Sequence, residues 1–415
     1  MRRIAIMGAG QAGLFLAIRL IKSGYDVTVI SEYSAEELFN GPPTGATYLF
    51  DDALQLEKEI GLDLWRDTAY HASAFHINLG TPGGNLDFAI RSRTSKPGAS
   101  IDQRLKFYQW IKVFQKHGGK FIVSDTTPSD LLGCTSQFDL VIISSGKGPL
   151  ARLFPKDVER SPHQQPARKL VQIHFNDFEQ PGHTRFTSIT FDAIMGAGEV
   201  ITGPFYQKDD IQCAFMLMEC VPGGPMDVFD DCKSATQILE RAKLMMQSVI
   251  PWRYPSLNNA SVIDPSAFLK GSFTPVVRKP FVKLNSTATV MGLGDTVILN
   301  DPIVGQGGNN AIKMAHAYAQ AIIEHGDNIF DSEWMERTFE SFWAYSQHVN
   351  HFCDLFLSPP AHVIDILKAA EHNPEIAFDF VSGFNHPPGL FPWLSNRETA
   401  SDYLANKLAV SAFEI

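Results

Sequence analysis

Gly8, Gly10 and Gly13 stand in G-x-G-x-x-G order between an apolar run, Ile4 to Met7, and a helical repeat of Leu14, Leu16, Ala17, Leu20 and Ile21. Each glycine has a separate task in a strand-turn-helix of this kind. Gly8 permits a tight turn, Gly10 leaves the backbone open to a pyrophosphate, and Gly13 lets the helix lie close to the strand. The first helical turn, which holds Gln11 and Ala12, presents free N–H groups and the positive end of the helix dipole to an anion. A second strand, Tyr25 to Ser31, ends in Glu32, 19 positions after Gly13. An acid at about that spacing hydrogen-bonds the adenosine ribose hydroxyls. Strand, glycines, helix, strand and acid together indicate a dinucleotide site; the alternative is an unliganded structural turn.

A second constellation lies far downstream. Thr289 to Gly292 reads as a strand, and Leu293-Gly294-Asp295 as the turn after it. Asn300-Asp301-Pro302-Ile303-Val304-Gly305-Gln306-Gly307-Gly308-Asn309-Asn310 then forms a loop that leads into an alanine-rich helix, Ala311 to Glu324. Glycines at 305, 307 and 308 let backbone lie against a flat ring. The helix N-terminus suits a reduced, anionic flavin. The alternative is a loop that merely caps a helix.

The chain of 415 residues is long enough for roughly two to three domain-sized units. With 44% hydrophobic and 19% charged residues, a large core is expected and disorder is not. A net charge of −10 argues against nucleic acid and anionic membranes as partners. No apolar run approaches the ~20 residues of a membrane helix, and the entry into a strand by Ile4 is unlike a signal peptide. Five cysteines without a C-x-x-C pair indicate free thiols, a cytoplasmic location and no metal site. Thirty phenylalanines fit either an aromatic core or an apolar pocket.

The elements that must position these residues follow along the chain. Turn formers at Asn40 to Gly45 precede a helix on Ala53, Leu56 and Ile60. Short strands from His71 to Ile90, broken at Gly80 to Gly84, leave the nucleotide domain for another sheet, and Lys96-Pro97-Gly98-Ala99 reads as a loop. Asp102 caps a helix carrying Arg104, Leu105, Tyr108, Ile111 and Phe114. Lys120 to Val123 and Asp139 to Ile143 are strands, the second running into the turn Ser144-Ser145-Gly146-Lys147-Gly148. Strands at 170–175, 186–191, 199–201 and 214–220, then an amphipathic helix through Ile238, Leu239, Ala242, Met245 and Val249, predict an inserted antiparallel-sheet domain. Helices broken at Pro359-Pro360 and Pro387-Pro388 complete the chain.

Taken together, the Gly8–Gly13 motif with Glu32, Gly292-Leu293-Gly294-Asp295, and Asp301-Pro302-Ile303-Val304-Gly305-Gln306-Gly307 resemble the para-hydroxybenzoate hydroxylase fold of FAD monooxygenases. Asp102-Gln103-Arg104-Leu105, Ser145-Gly146-Lys147 and Gly271 to Arg278 are similar to the oxygenase component of styrene and indole monooxygenases. The resemblance implies an α/β fold in which a Rossmann-like FAD-binding domain (1–70, 101–160, 269–330) carries an inserted substrate domain (71–100, 161–268) and a helical C-terminal region (331–415). It implies FAD held by Gly8, Gly10, Gln11, Ala12, Gly13, Glu32, Arg104, Gly146 and Asp295, with Pro302, Gly305, Gly307, Gly308 and Asn309 along the isoalloxazine. Arg104 would reach the pyrophosphate, and Asp295 the ribitol or pyrophosphate region. Thr47, Leu49, Pro302 and Val304 would line the substrate pocket.

The implied chemistry is the cofactor's. Reduced FAD and O2 give a C4a-hydroperoxide that epoxidises or sulfoxidises a small apolar aromatic compound, so no protein side chain need act as a catalyst. No Asp-Gly follows Ile143 and no second G-x-G-x-x-G is present. That fits a protein receiving reduced FAD from an NADH-dependent flavin reductase, and the resemblance implies a homodimer; the rivals are a self-contained NAD(P)H-dependent hydroxylase and a non-catalytic nucleotide-binding protein. A flavin halogenase is disfavoured because its W-x-W-x-I-P motif is absent. In place of the family's Asn-x-Val-x-His pattern stands Thr47-x-Leu49-x-Asp51, and Pro42-Pro43-Thr44 replaces a loop arginine. The natural substrate therefore does not carry over.

Overall fold

The N-terminal apolar run forms the Arg3–Met7 strand at the centre of a six-stranded sheet. Its parallel neighbours are Asp26–Ser31 on one side and Leu140–Ile143 on the other. Lys120–Val123 extends the first side, and Thr289–Gly292 with the antiparallel Phe281–Lys283 the second. In this computed structural model, residues 1–176 and 187–411 are described. The Gln11–Lys22 helix is apolar on nearly every side, with Leu14, Phe15, Leu16, Ala17, Ile18 and Leu20 all inaccessible. Such a helix must be covered all round. The sheet lies on one side of it, and the Gly307–His325 helix supplies Ile312, Ala315, Tyr318, Ala319 and Ile322 to the same core.

A second sheet of nine strands stands beside the first. One of its faces packs under the Ala235–Val249 helix through Val171, Ile173, Phe175, Met216 and Met218. The other face meets the C-terminal helices through Phe75, Ile77, Ile189, Phe191, Phe205 and Phe215. Strand alternation separates the two sets. The 26-residue Ser332–Leu357 helix joins both halves, giving Phe339 and Phe342 to the first core and Phe352 and Leu355 to the second. The Rossmann-like domain, the second sheet and the helical C-terminus stand as expected. Among the described residues no helix is long and apolar enough to cross a membrane.

The structure departs from the sequence reading at several places. The second sheet is mixed, because His71–Gly80 pairs in parallel with Ser188–Ile194. Phe186, expected in that second strand, lies outside the described residues. Residues 96–99 are not a free loop. They belong to the Leu86–Ser100 strand, in which Ala99 and Gly98 pair with His71 and Ala72 while the register jumps to Arg93 opposite Ala74. The surplus residues bulge out, which is where a strand tolerates Pro97. Two segments cross the expected domain boundaries: Tyr48–Leu49 pairs with Ser100 and Ala99, and Phe268–Gly271 pairs with the Lys169–Asn176 strand. The last helix of the nucleotide domain begins at Gly307 and not at Ala311, so Gly307, Gly308 and Asn309 form its first turn.

Candidate cofactor site

The fold brings the two distant glycine turns together. Gln11, first residue of its helix, donates from Nε2 to Gly308 O at 3.1 Å, joining the N-termini of the Gln11–Lys22 and Gly307–His325 helices. Between them comes the turn after the Thr289–Gly292 strand. A Cβ on Gly294, whose φ is +62°, would lie 3.1 Å from the Ala12 methyl. The Ser144–Gly148 turn closes the other side, with Ser144 N donating to Met7 O at 2.7 Å. Here Gly8 has φ +116°, and a side chain on it would overlap Ser144 O; one on Gly13 would overlap Gly8 O. Those two glycines are required by protein against protein. Gly10, Gly146, Gly305 and Gly307 differ, because a Cβ on any of them meets nothing within 4 Å. They face open space.

Two helix N-termini therefore aim unpaired N–H groups and positive dipole ends into one cleft. Ser145 Oγ, Gln11 Oε1 and Gln306 Oε1 are buried without a hydrogen-bond partner in the described structure. Open glycine edges, convergent donors and waiting polar atoms fit a long anionic dinucleotide such as FAD. Glu32 is exposed at the end of its strand, where a ribose could reach it. Asp295 sits half-buried facing Lys147 and Arg278. Burial raises its carboxyl to about 6, although both cations pull the other way. The same burial lowers Lys147 and Arg278.

Arg104 is placed differently from the remaining cofactor residues. It is buried at 4% exposure, its guanidinium bonded to both carboxylate oxygens of Asp102 (2.7–3.1 Å) and to Gly41 O at 3.3 Å. Its donors are thus turned to the 102 cap and the 41 loop. Asn309 also spends its side chain on protein. Its Oδ1 accepts from Phe50 N, and its Nδ2 donates to Tyr48 O and Gly305 O, all at 2.9 Å. It fastens the short 48–49 strand and the 305 turn to the helix start. Asn309→Ala would strand these buried backbone groups and is expected to cost about 2–4 kcal/mol, measured by urea denaturation of the FAD-free protein.

The residues expected at the substrate pocket divide by strand alternation. Thr47 is half-buried, with its methyl against Gly308, and its Oγ1 accepts from Gln103 Nε2 at 2.6 Å. Leu49 turns into the nucleotide-domain core, away from the second sheet. Tyr48 and Phe50 point the opposite way, into an aromatic cluster with Phe75, Phe352, Phe384 and Val304. The aromatic cluster thus takes the neighbours of Leu49, which the sequence pattern alone did not select. Asp51 lies outside it, paired with Lys96 at 3.1 Å.

The sequence reading also passed over a buried polar chain beneath the 41–47 loop. Gln172 Oε1 accepts from Ala46 N at 2.8 Å, Gln172 Nε2 meets His174 Nε2 at 3.0 Å, and His174 Nδ1 meets Gln207 Oε1 at 3.1 Å. His174 stacks on Phe205 with centroids 4.1 Å apart, and burial lowers its pKa to about 4. The ring is therefore neutral at physiological pH and acts as a hydrogen-bonding spacer. The available signal was Gln172 and His174 two apart in one strand, two polar residues on one face.

The chain is similar to known proteins in both sequence and fold. Residues 146–255 match the family described as "Styrene monooxygenase A putative substrate binding domain". The chain is 27% identical over 408 residues to styrene monooxygenase StyA of Pseudomonas fluorescens, covering 93% of each protein. Among solved structures it is similar to the flavin-dependent brominase Bmp2, with TM-score 0.70, 14% identity and full coverage of both chains. It is also similar to a halogenase PltM mutant in complex with FAD, with TM-score 0.63, 13% identity, and coverage of 97% of this chain and 86% of that one. These structural likenesses establish the fold alone.

Proposed function

We propose that this styrene monooxygenase-like chain, an FAD-dependent monooxygenase, is the oxygenase component of a two-component system that adds one oxygen atom to a small apolar aromatic compound. The observation that carries the reading is the junction of two helix N-termini at Gln11 and Gly308 beside Asp295, edged by the open Gly10 and Gly307, which suits one flavin dinucleotide. When bound and reduced, FAD supplies the activation of O2 and the electrophilic oxygen. The protein's part is binding, orientation and exclusion of water. Gly10 and the Gln11 turn would receive the pyrophosphate, Glu32 the adenosine ribose, and Asp295 the middle of the cofactor. The Pro302–Val304 turn and the Gly307 helix start would lie along the ring, where the helix dipole favours the reduced anion.

Substrate orientation would fall to the aromatic cluster of Tyr48, Phe50, Phe75, Phe352 and Phe384. An environment so apolar suits a styrene, an indole or an aryl thioether better than a carboxylated substrate. The test incubates the protein with FAD, NADH and a flavin reductase against a panel of these three compound classes, with product analysis by chiral chromatography. Epoxide, oxidised indole or sulfoxide is expected only when the reductase or chemically reduced FAD is present. Substrate-dependent NADH oxidation by the purified protein alone would instead establish a self-contained hydroxylase.

A further inference from the structure

Behind the Pro302–Val304 turn lies a cluster of ionisable groups that the cofactor site does not account for. Asp301 begins the turn, and its Oδ1 accepts from Ile303 N at 3.1 Å. Glu199 forms a bidentate pair with Arg168 at 2.7 and 2.8 Å. Glu219 is wholly inaccessible, and neither of its carboxyl oxygens has a hydrogen-bond donor within the described structure. What it faces is the Asp301 carboxyl, itself only 3% exposed. Three buried carboxyls thus lie within the field of one guanidinium, which bonds Glu199. Two buried carboxyls facing each other are tolerated when a proton lies between them. Burial, with Asp301 and Glu199 adding to it and Arg168 opposing, holds Glu219 well above the usual carboxylate range. Burial raises Asp301 as well, with the Ile303 N–H, Arg168 and His163 opposing and Asp354 reinforcing.

The pair is not sealed. Asp301 lines a cavity of about 30 Å³ together with Arg160, His163, Asn300, Asn350 and Asp354. That is room for one or two waters. Asn300, 5% exposed, has neither side-chain atom hydrogen-bonded, and Asn350 Oδ1 is likewise without a partner in the described structure. Polar groups in that state around such a volume suit bridging water. At the outer end His163 Nε2 meets Asp354 Oδ1 at 2.6 Å, and both side chains are partly exposed, at 26% and 42%. Cys353 completes the surroundings, donating to Asp301 O at 3.5 Å.

We propose that Glu219 and Asp301 hold one exchangeable proton, that the Asn300 cavity and the His163–Asp354 pair connect it to solvent, and that this path supplies the proton consumed in oxygen transfer. The inference rests on the monooxygenase reading above. Its balance requires such a source. Anionic reduced flavin, O2, substrate and one proton give oxidised flavin, the oxygenated substrate and water. The flavin gives up two electrons; one oxygen atom bonds to the substrate, and the other leaves as water with the incoming proton. A site that excludes water must still admit that proton.

Two measurements test the path. In the FAD-free protein, infrared difference spectroscopy at pH 7.5 should show the C=O stretch of a protonated carboxyl that shifts in D2O and is lost in Glu219→Gln. His163→Phe, at the partly exposed entrance, should slow that exchange at least about tenfold. In single turnovers started with chemically reduced FAD, proton uptake followed by an indicator dye should slow at least about tenfold in E219Q. FAD affinity should stay within threefold, because the amide still donates to Asp301. Absence of a protonated-carboxyl band from the wild type, or unchanged proton uptake in E219Q, overturns the relay; should E219Q fold poorly, the wild-type band and the H163F exchange rate still decide. A wild-type enzyme that transfers no oxygen at all overturns the functional reading, and with it the use assigned to the proton.

Discussion

Gly10→Val is expected to leave the protein folded, with a melting temperature within about 2 °C of the parent, and to weaken FAD binding at least about 100-fold. The residue has φ −87° and ψ −174°, an extended conformation that valine adopts freely. A Cβ there meets no protein atom within 4 Å. Its only effect is to fill the space in which the pyrophosphate would approach the first turn of the helix, a loss of roughly 3 kcal/mol in binding. Gly8→Ala provides the contrast. Its φ of +116° is strained for any L-residue, and the methyl would overlap Ser144 O. That variant is expected to be destabilised by several kcal/mol with or without cofactor. Fluorescence titration with FAD and thermal denaturation of both variants separate the two glycines. Equal effects on folding would remove Gly10 from the cofactor cleft.

Asp295→Asn is expected to stabilise the FAD-free protein while weakening FAD binding about tenfold. The Asp295 carboxyl, raised to about 6 by burial, resists ionisation in the folded state. A group raised in this way favours folding fully below its unfolded pKa near 4, and that contribution is lost as pH rises through about 6. At pH 8 the ionised side chain is therefore a burden that the neutral amide removes. The gain is at most about 3 kcal/mol, less for the residual solvent exposure. Below pH 4 the two proteins should converge. Urea denaturation at pH 8 and pH 4 measures the difference. A variant less stable than the parent at pH 8 would show that Lys147 and Arg278 more than compensate the burial. Stability given up at a binding site is a common exchange.

The nucleotide-binding half of the molecule was legible because its signals are local. Five strand residues, three glycines at fixed offsets and a carboxylate after the next strand are set by the backbone geometry of one turn. The Asp102 cap and the glycine turn at 146 were legible for the same reason. Arg104 was legible as a helix residue but not as a partner of Asp102, since a side chain two positions along can fold back on its own cap or reach outward, and only the surroundings decide. Residues 96–99 misled because proline and glycine mark turns and bulges alike. Whether such a segment loops freely or rejoins its strand depends on what lies opposite, here Ala72, His71 and the Tyr48–Leu49 strand.

By itself, the amino-acid sequence determined the Rossmann-like half with its dinucleotide turn, the inserted sheet and the helical end, while FAD as the dinucleotide came from the family resemblance. The turn, the sheet and the helices are written in spacing and periodicity that one element carries alone. Only the tertiary structure decided that Gln11 bonds Gly308 across nearly three hundred residues, that Tyr48 and Phe50 rather than Leu49 face the aromatic cluster, and that Glu219 meets Asp301 in a buried setting. Side chains from separate strands and helices acquire a common environment only when the chain packs. Burial, which sets both the pocket and the charge states, is a property of that packing and of no single segment.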